Sequence, residues 1–220
     1  MNLARIGKRN WHAVAPFPFT NSKFARILEI CRGKDVLDCG CVGSPIENAE
    51  EMAGTSHFQI AAVSRRCVGV DLNGTEIGKR RSLGYDVRHA NVESMALGEQ
   101  FDVVVAGDLI EHVSNAGAFL EAVKDHLRPA GLLCLVTPNA TSANSVFKAI
   151  FGVESTVNPE HTCWYDPITL QQLLTRHGFE PIEHYWQDYQ RHPLVTILTR
   201  LRPNLSAHFI LIARLQGGSA

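Results

Sequence analysis

The sequence has no long hydrophobic run and no excess of charge of either sign. No segment reaches eighteen consecutive apolar residues, so we expect no bilayer-spanning segment. Residues 1–10 are basic but lack the apolar core of a secretory signal, and we expect a cytoplasmic protein. The 21 Lys and Arg residues nearly balance the 22 Asp and Glu residues. This balance argues against a whole-domain electrostatic grip on nucleic acid or on an anionic membrane.

Cysteine is also scarce, with six residues in a chain of 220. That number is too small for a disulfide scaffold, and we expect reduced thiols. Cys39 and Cys41 form a C-x-C pair, but no second close pair completes a structural zinc site. The 45% hydrophobic and 20% charged residues are ordinary for a protein with a packed core. We expect one domain over residues 1–220, with an N-terminal extension at residues 1–20.

Short apolar runs alternate with segments of helical periodicity along the chain. The predicted strands are Asp35–Asp38, Cys67–Asp71, Tyr85–Arg88, Phe101–Ala106, Leu132–Val136, Phe179–Trp186 and Phe209–Leu215. The predicted helices are Ser22–Cys31, Pro45–Arg66, Thr75–Leu83, Ala116–Leu127, Ser142–Phe151 and one that starts at Pro167 and ends at Gly178. This alternation indicates βαβ units and a parallel sheet, while the last two strands favour an antiparallel pair at one edge.

Polar and small residues follow four of the predicted strands. In a doubly wound sheet, ligands bind at the carboxyl ends of the strands, so these residues are the candidate site. Asp38 begins a loop rich in glycine and small residues, where the backbone can approach a ligand closely. Asp71 ends the second strand and can accept both hydroxyls of a ribose. Asn91 can meet an adenine edge, and Asp108 follows the fourth strand.

The order of these motifs resembles that of the class I S-adenosylmethionine-dependent methyltransferases, from about Asn21 onward. The segments that carry the resemblance are Val36–Cys41, Val68–Asp71, Ala90–Glu93, Phe101–Val104, Leu109–Val113 and Leu127–Gly131. The resemblance implies a Rossmann-like, doubly wound, seven-stranded α/β sheet, mostly parallel with an antiparallel last strand and with helices on both faces. It also implies S-adenosylmethionine as cofactor and S-adenosylhomocysteine as product. An NAD enzyme is the weaker interpretation, because the first loop lacks the G-x-G-x-x-G spacing.

The same resemblance implies the cofactor-binding residues. They are Asp38, Gly40, Cys41, Gly43, Asp71, Leu72, Asn91, Val92 and Asp108. Asp38 is expected near the cofactor's ammonium and Asp71 on its ribose diol, with each charge-assisted hydrogen bond contributing ~1.5–3 kcal/mol. Val42 stands where the family usually has glycine. Because a β-branched residue does not easily take a positive φ, we expect a rerouted loop with Gly43 as its flexible position.

An oxygen nucleophile needs a base or a metal to take its proton, and we expect Glu111, His112 and His161 to be catalytic. The pattern of Asp108, Glu111 and His112 followed by a distant histidine is similar to an E-x-x-E-H…H metal constellation. That constellation belongs to ubiquinone-pathway O-methyltransferases and to enzymes that methylate the 3′-terminal ribose of small RNAs. A divalent metal is therefore an alternative to a general base, and we commit no residue to it.

The acceptor is expected to be a small molecule or a sugar, methylated on oxygen and covered by residues 139–166. Residues 158–179 resemble the small-molecule branch of the family, in which a histidine loop precedes a helix that starts with proline. Two alternatives remain: methylation of an RNA 3′-terminal ribose, and a binding module without catalytic activity. The basic cluster Lys79–Arg81 is the best local patch for RNA, but we interpret it as the solvated face of a helix.

Overall fold

The computed structural model describes residues 25–43, 54–153, 158–187 and 193–216. The strands are β1 (Asp35–Cys39), β2 (Arg66–Asp71), β3 (Val87–His89), β4 (Phe101–Gly107), β5 (Leu127–Pro138), β6 (Phe179–Gln187) and β7 (His208–Leu215). The helices are α1 (Ala25–Cys31), α2 (Ser56–Val63), α3 (Gly74–Ser82), α4 (Ala116–Asp125), α5 (Ala143–Phe151), α6 (Pro167–Arg176) and α7 (Pro193–Leu201). None of the helices within these ranges is long and apolar enough to cross a membrane.

The seven strands form one sheet in the order β3-β2-β1-β4-β5-β7-β6. The pairs among β1 to β5 are parallel, and β7 runs antiparallel to both β5 and β6. The chain order reverses between β1 and β4, so the carboxyl ends of these two strands flank the crevice in which such sheets bind ligands. The predicted fold class, including the antiparallel last strand, is confirmed.

Helices cover both faces of the sheet. Successive side chains of a strand point to opposite faces, so neighbouring residues of one strand pack against different helices. On β1, Val36 packs with the buried residues of α1 and α2. Its neighbour Leu37 packs on the opposite face, in the cluster that includes Phe119 of α4 and Leu170 of α6. Asp38 follows in the alternation and therefore points to the face that carries α2. This register decides which helix Asp38 meets.

Strand β5 is longer than predicted, and the predicted helix end at Leu127 is wrong. Helix α4 stops at Asp125, and β5 already begins at Leu127. Leu127 pairs with Phe101 and Leu132 pairs with Val103, so five steps on β5 match two on β4. The bulge contains Ala130 in the left-handed region, with φ of 61°. Pro129 and Gly131 therefore lie in the irregular first part of β5 and do not separate a helix from a strand.

Other boundaries shift by a few residues. The third strand was predicted at Tyr85–Arg88 and runs instead from Val87 to His89. The described part of the predicted helix Pro45–Arg66 holds α2, Arg66 already belongs to β2, and positions 45–53 lie outside the described residues. Sequence patterning missed α7, because its β-branched residues lower helix propensity.

The interpretation of Lys79–Arg81 as a solvated face is wrong for Arg80, which is completely buried. Its guanidinium donates from Nη1 to Glu76 Oε2 at 2.9 Å and from Nη2 to the carbonyl of Val42 at 2.6 Å. Three consecutive charged residues on a helix necessarily point in different directions, since the helix turns about 100° per residue. One of the three therefore faces the core.

Candidate active site

The loop after β1 is shaped by two glycines in the left-handed region. Gly40 has φ of 71° and Gly43 has φ of 56°, whereas Val42 does not have a positive φ. The positive φ thus falls on Gly43 and not on the β-branched Val42, as expected for the flexible position of this loop, whereas the rerouting relative to the family stays a prediction. A Cβ at Gly40 would lie 2.9 Å from Leu109 Cδ1. The absence of a side chain at Gly40 thus lets the segment after β4 pack directly on this loop.

Asp38 lies at the end of β1 and is buried. Its Oδ2 lies 2.8 Å from Nδ1 of His57, a completely buried residue in the first turn of α2. Thr55 starts that helix, because its hydroxyl accepts a hydrogen bond from the amide of Phe58. Neither Thr55 nor His57 was among the predicted site residues. The sequence carries no signal for the pairing of His57 with Asp38, since the two residues are 19 positions apart in the chain.

Asp71 ends β2, and its carboxylate is partly exposed beside the first loop. Its Oδ2 accepts the amide of Val42 at 3.0 Å, and its Oδ1 accepts the amide of Asn73 at 3.0 Å. Each carboxylate oxygen retains a second acceptor position, so both can also meet a diol. Leu72 is an apolar residue that is 61% exposed next to this carboxylate. This arrangement fits a ligand with polar hydroxyls and an apolar ring.

The two residues predicted to meet adenine lie just after β3. Val92 is buried and belongs to the core, whereas Asn91 is exposed. The side-chain carbonyl of Asn91 accepts the amide of Glu93 at 2.9 Å. Asp71 is tied to this segment through its own carbonyl, which accepts the amide of Ala90 at 3.0 Å. The structure therefore brings the second and third predicted strand ends together.

Asp108 follows β4 and takes a φ of 50°, a conformation that non-glycine residues adopt rarely and that Asp tolerates better than most. Its amide donates to the carbonyl of Val136 on β5 at 2.9 Å. Its Oδ1 lies 3.9 Å from Nε2 of His208, at the start of β7. Asp108 therefore lies beside β5 and the start of β7, and its charge also acts on His161.

The three residues predicted to be catalytic meet in space. Glu111, His112 and His161 each offer a ligand atom, and these atoms lie within 4.8 Å of one another. The rings of His112 and His161 pack edge to face, with 4.6 Å between their centroids. Glu111 is buried, and its Oε2 accepts a hydrogen bond from the hydroxyl of Thr137 at 2.9 Å. Thr137 is a residue that the sequence interpretation missed, although it directly follows the predicted fifth strand.

The pKa of His161 lies below the ordinary value for histidine, chiefly because burial disfavours the imidazolium and secondly because His112 is close. Asp108 and Glu160 act in the opposite direction. Burial and His112 thus favour the neutral imidazole of His161 over its imidazolium, relative to an ordinary histidine. A neutral imidazole can accept a proton or ligate a metal.

Backbone hydrogen bonds fix His161 beside Glu111. The next residue, Thr162, donates its amide to the carbonyl of Glu111 at 2.8 Å and its hydroxyl to the carbonyl of Val113 at 2.7 Å. Beside this cluster lies a pocket of about 220 Å³. The residues that line it include Glu111, Asn139, Lys148, His161, Trp164 and His208.

The chain belongs to the methyltransferase domain family, whose model matches residues 7–184. A curated relative from Mycolicibacterium smegmatis, named probable S-adenosylmethionine-dependent methyltransferase, is 30% identical over 160 residues, which cover 71% of this chain and 56% of the relative. Together with the family match, it confirms the predicted class, the S-adenosylmethionine-dependent methyltransferases, and S-adenosylmethionine as the family's cofactor. The individual site residues remain predictions.

Several curated relatives are named ubiquinone biosynthesis O-methyltransferase, and two of them illustrate the similarity. The protein of Dinoroseobacter shibae is 31% identical over 159 residues, which cover 69% of this chain and 62% of the relative. The protein of Rhodopseudomonas palustris strain BisA53 is 33% identical over 158 residues, which cover 68% of this chain and 58% of the relative. The chain thus spans about three fifths of the length of these curated relatives.

Solved structures of methyltransferases share the fold at low sequence identity. Magnesium protoporphyrin IX methyltransferase from Synechocystis, solved with S-adenosylhomocysteine bound, superposes with a TM-score of 0.59 at 15% identity. The match covers 85% of this chain and 76% of that structure. A likeness at this identity shows the fold alone.

Proposed function

We propose that the protein transfers a methyl group from S-adenosylmethionine to an oxygen of a small molecule. The observation that carries the proposal is the convergence of Glu111, His112 and His161 next to a pocket at the carboxyl edge of the sheet. The curated relatives named as O-methyltransferases support the choice of oxygen. A hydroxyl acceptor needs proton removal, and this cluster offers the groups for it.

The residues at the strand ends fit the proposed cofactor. S-adenosylmethionine, when bound, supplies a methyl group on a cationic sulfonium. Asp71 would hold the ribose diol, with the exposed Leu72 beside the adenosine, and Asp38 would lie on the side of the ammonium. Gly40 and Gly43 keep side chains out of the loop where the backbone would approach the ligand. Asp108 adds a third carboxylate toward the reacting centre.

The catalytic cluster would remove the proton of the acceptor. We assign His161 as the base, because burial favours its neutral imidazole, which is able to accept a proton. Glu111 would orient the acceptor, since Thr137 holds one of its oxygens and its backbone carbonyl holds the segment that carries His161. His112 would pack against His161 and fix the plane of its ring.

Residues 139–166 would cover the acceptor in this proposal. Helix α5 lies in this segment and has no fully buried residue, although it contributes Lys148 to the pocket wall. Trp164 offers apolar surface to the same pocket. A small acceptor with both polar and apolar surface would suit this lining.

The test is transfer of a labelled methyl group from S-adenosylmethionine to catechol, compared with 1,2-diaminobenzene as the matched amine. We expect an O-methylated product from catechol and little transfer to the diamine. His161→Ala and His112→Ala should lower turnover at least tenfold with little change in the Kd for S-adenosylmethionine. Equal transfer to both acceptors would contradict O-methylation.

A second candidate is the same transfer assisted by a divalent cation, favoured by the closeness of the ligand atoms of Glu111, His112 and His161. The donor set of one carboxylate and two imidazoles fits Zn²⁺, Mn²⁺ or Fe²⁺ better than a purely oxygen-ligated ion. Such a cation would lower the pKa of a bound hydroxyl.

Chelation separates the two candidates. Dialysis against EDTA should leave the activity with catechol unchanged if His161 is the base. Loss of activity that Mn²⁺ or Zn²⁺ restores would instead support the metal. His161→Gln, which keeps polarity but is a poor base and a poor ligand, should be inactive in both cases and serves as the negative control.

A further inference from the structure

Val42, the residue that departs from the family pattern, lies between two charged groups. Its amide donates to Asp71 Oδ2 at 3.0 Å, and its carbonyl accepts from Arg80 Nη2 at 2.6 Å. The donor side of the residue thus faces an acid and the acceptor side faces a cation. Both hydrogen bonds are charge-assisted. The bond to Asp71 has the usual length of a backbone hydrogen bond, and the bond from Arg80 is shorter.

These contacts belong to a closed series of hydrogen bonds, here called the ring, that begins and ends at Asp71. From Asp71 the ring continues through the amide of Asn73, whose side chain caps α3 by accepting the amide of Glu76. Glu76 holds Nη1 of Arg80, and Arg80 returns to Val42 through Nη2. The planar guanidinium forms both bonds at once, which an ammonium group cannot do in the same geometry.

Burial restricts the part of this ring that Arg80 and Glu76 form, whereas Asp71 is partly exposed and Asn73 is exposed. The side chain of Arg80 is completely inaccessible to solvent, and that of Glu76 is 5% exposed. The side chain of Val42 packs with Ile77 of α3 and Val87 of β3. A planar guanidinium held between two acceptors loses little entropy on forming each bond, so the bond from Arg80 restrains the loop at Val42.

We propose that Arg80 is a positioning residue for the cofactor site. Through Val42 it fixes the loop after β1, and through the same ring it fixes the Asp71 carboxylate. The family glycine at position 42 would leave the loop freer, and here the Arg80–Glu76 pair supplies the constraint instead. This inference rests on the proposed function, because it assigns the loop and Asp71 to S-adenosylmethionine.

The test compares Arg80→Met with Arg81→Met. Arg81 is the matched control because it lies on the same helix and also donates to a backbone carbonyl, that of Val87 at 2.6 Å, outside the first loop. Lys79 stays paired with Glu76 in the Arg80 variant, so the buried carboxylate keeps a partner. By calorimetry, Arg80→Met should raise the Kd for S-adenosylmethionine about tenfold, and Arg81→Met less than threefold. The kcat should stay within twofold in both variants.

A second measurement needs no cofactor. In the free protein, the amide of Val42 should exchange with solvent about tenfold faster in Arg80→Met than in the wild type, and at the wild-type rate in Arg81→Met. If Arg80→Met does not fold, Arg80→Lys takes its place. This variant keeps a positive charge beside Glu76 but loses the planar guanidinium that bonds Glu76 and Val42 at once. Its Kd for S-adenosylmethionine should therefore rise at least threefold.

Several outcomes overturn the proposal. Wild-type affinity and wild-type exchange of the Val42 amide in the Arg80 variants would contradict it. Equal weakening by Arg80→Met and Arg81→Met would show a general loss of stability instead of a positioning role. A wild-type protein that does not bind S-adenosylmethionine would contradict the proposed function itself, and the amide exchange separates this failure from a failure of the ring.

Discussion

His57 Nδ1 lies 2.8 Å from Asp38 Oδ2, and both side chains are buried where β1 meets the first turn of α2. A buried carboxylate is stable only when it is hydrogen-bonded or paired. His57 therefore fixes the orientation of the acid that we place on the ammonium side of the cofactor.

The first prediction concerns His57→Phe, which keeps an aromatic ring, slightly larger than imidazole, but removes the hydrogen bond to Asp38. We expect the Kd for S-adenosylmethionine to rise about tenfold, because the carboxylate loses its fixed direction. His57→Asn, whose amide can take the place of Nδ1, should recover part of this affinity. Calorimetry with S-adenosylmethionine measures the effect.

His126→Phe is the matched control for that experiment. His126 is also buried, and it bonds the carbonyl of Ala122 and the amide of Leu97, away from the strand ends that form the site. Its loss should lower the melting temperature without changing the Kd. Equal changes of the Kd in the two Phe variants would show that His57 acts only through stability.

The second prediction concerns Thr137→Val, which removes the hydrogen bond to Glu111 without changing the side-chain shape. We expect kcat to fall about tenfold at an unchanged Kd for S-adenosylmethionine, since Glu111 would lose its orientation but the cofactor loop would not. Thr137→Ser should restore most of the turnover. Steady-state kinetics with catechol measures it.

Thr175→Val supplies the control for the loss of a hydroxyl. The hydroxyl of Thr175 donates to the carbonyl of Gln171 within α6, so the variant should leave kcat unchanged. A Thr137→Val enzyme with wild-type kcat would remove Glu111 from the catalytic assignment.

The third prediction concerns the stability of the fold at low pH. Arg66 and then Arg88 hold the pKa of Glu99 at about 2, below the ordinary 4.5. An acid whose pKa is lowered on folding stabilises the protein above its unfolded pKa, and this contribution is lost as the pH falls. The free energy of unfolding should therefore decrease from about pH 5 toward pH 2, with Glu99 contributing about 1 kcal/mol because the pair is partly exposed.

Glu99→Gln should remove that part of the pH dependence and lower the stability at pH 7. Glu180→Gln, at an exposed position of β6, is the control and should leave the curve unchanged. Urea unfolding between pH 2.5 and pH 7 tests both variants. Parallel curves for wild type and Glu99→Gln would contradict the assignment.

The sequence predicted the sheet because strand periodicity and turn residues are local signals. Asp71 and Asp108 were placed correctly at strand ends for the same reason: a short apolar run stops at each of them. The closeness of His161 to Glu111 was predicted only from the family resemblance, because about fifty residues separate the two in the chain and no local pattern links them.

Local patterns could not predict the contacts that fix these residues. The pairing of His57 with Asp38 depends on which face of β1 meets α2, and a shift of one residue in register would point Asp38 to the other side. The burial of Arg80 depends on the rotation of α3 over the first loop. The bulge at Ala130 depends on the pairing of β5 with β4, which the sequence of β5 alone does not determine.

The most direct test of the central claim is calorimetric titration of S-adenosylmethionine into the wild type, Asp71→Ala and Asp86→Ala. Asp86 lies just before β3 and pairs with Arg88, so it is a nearby acid outside the proposed site. We expect one binding site in the wild type, an affinity ten- to about a hundredfold lower in Asp71→Ala, and wild-type affinity in Asp86→Ala. Wild-type affinity in Asp71→Ala, or no binding to the wild-type protein, would contradict a cofactor site at these strand ends.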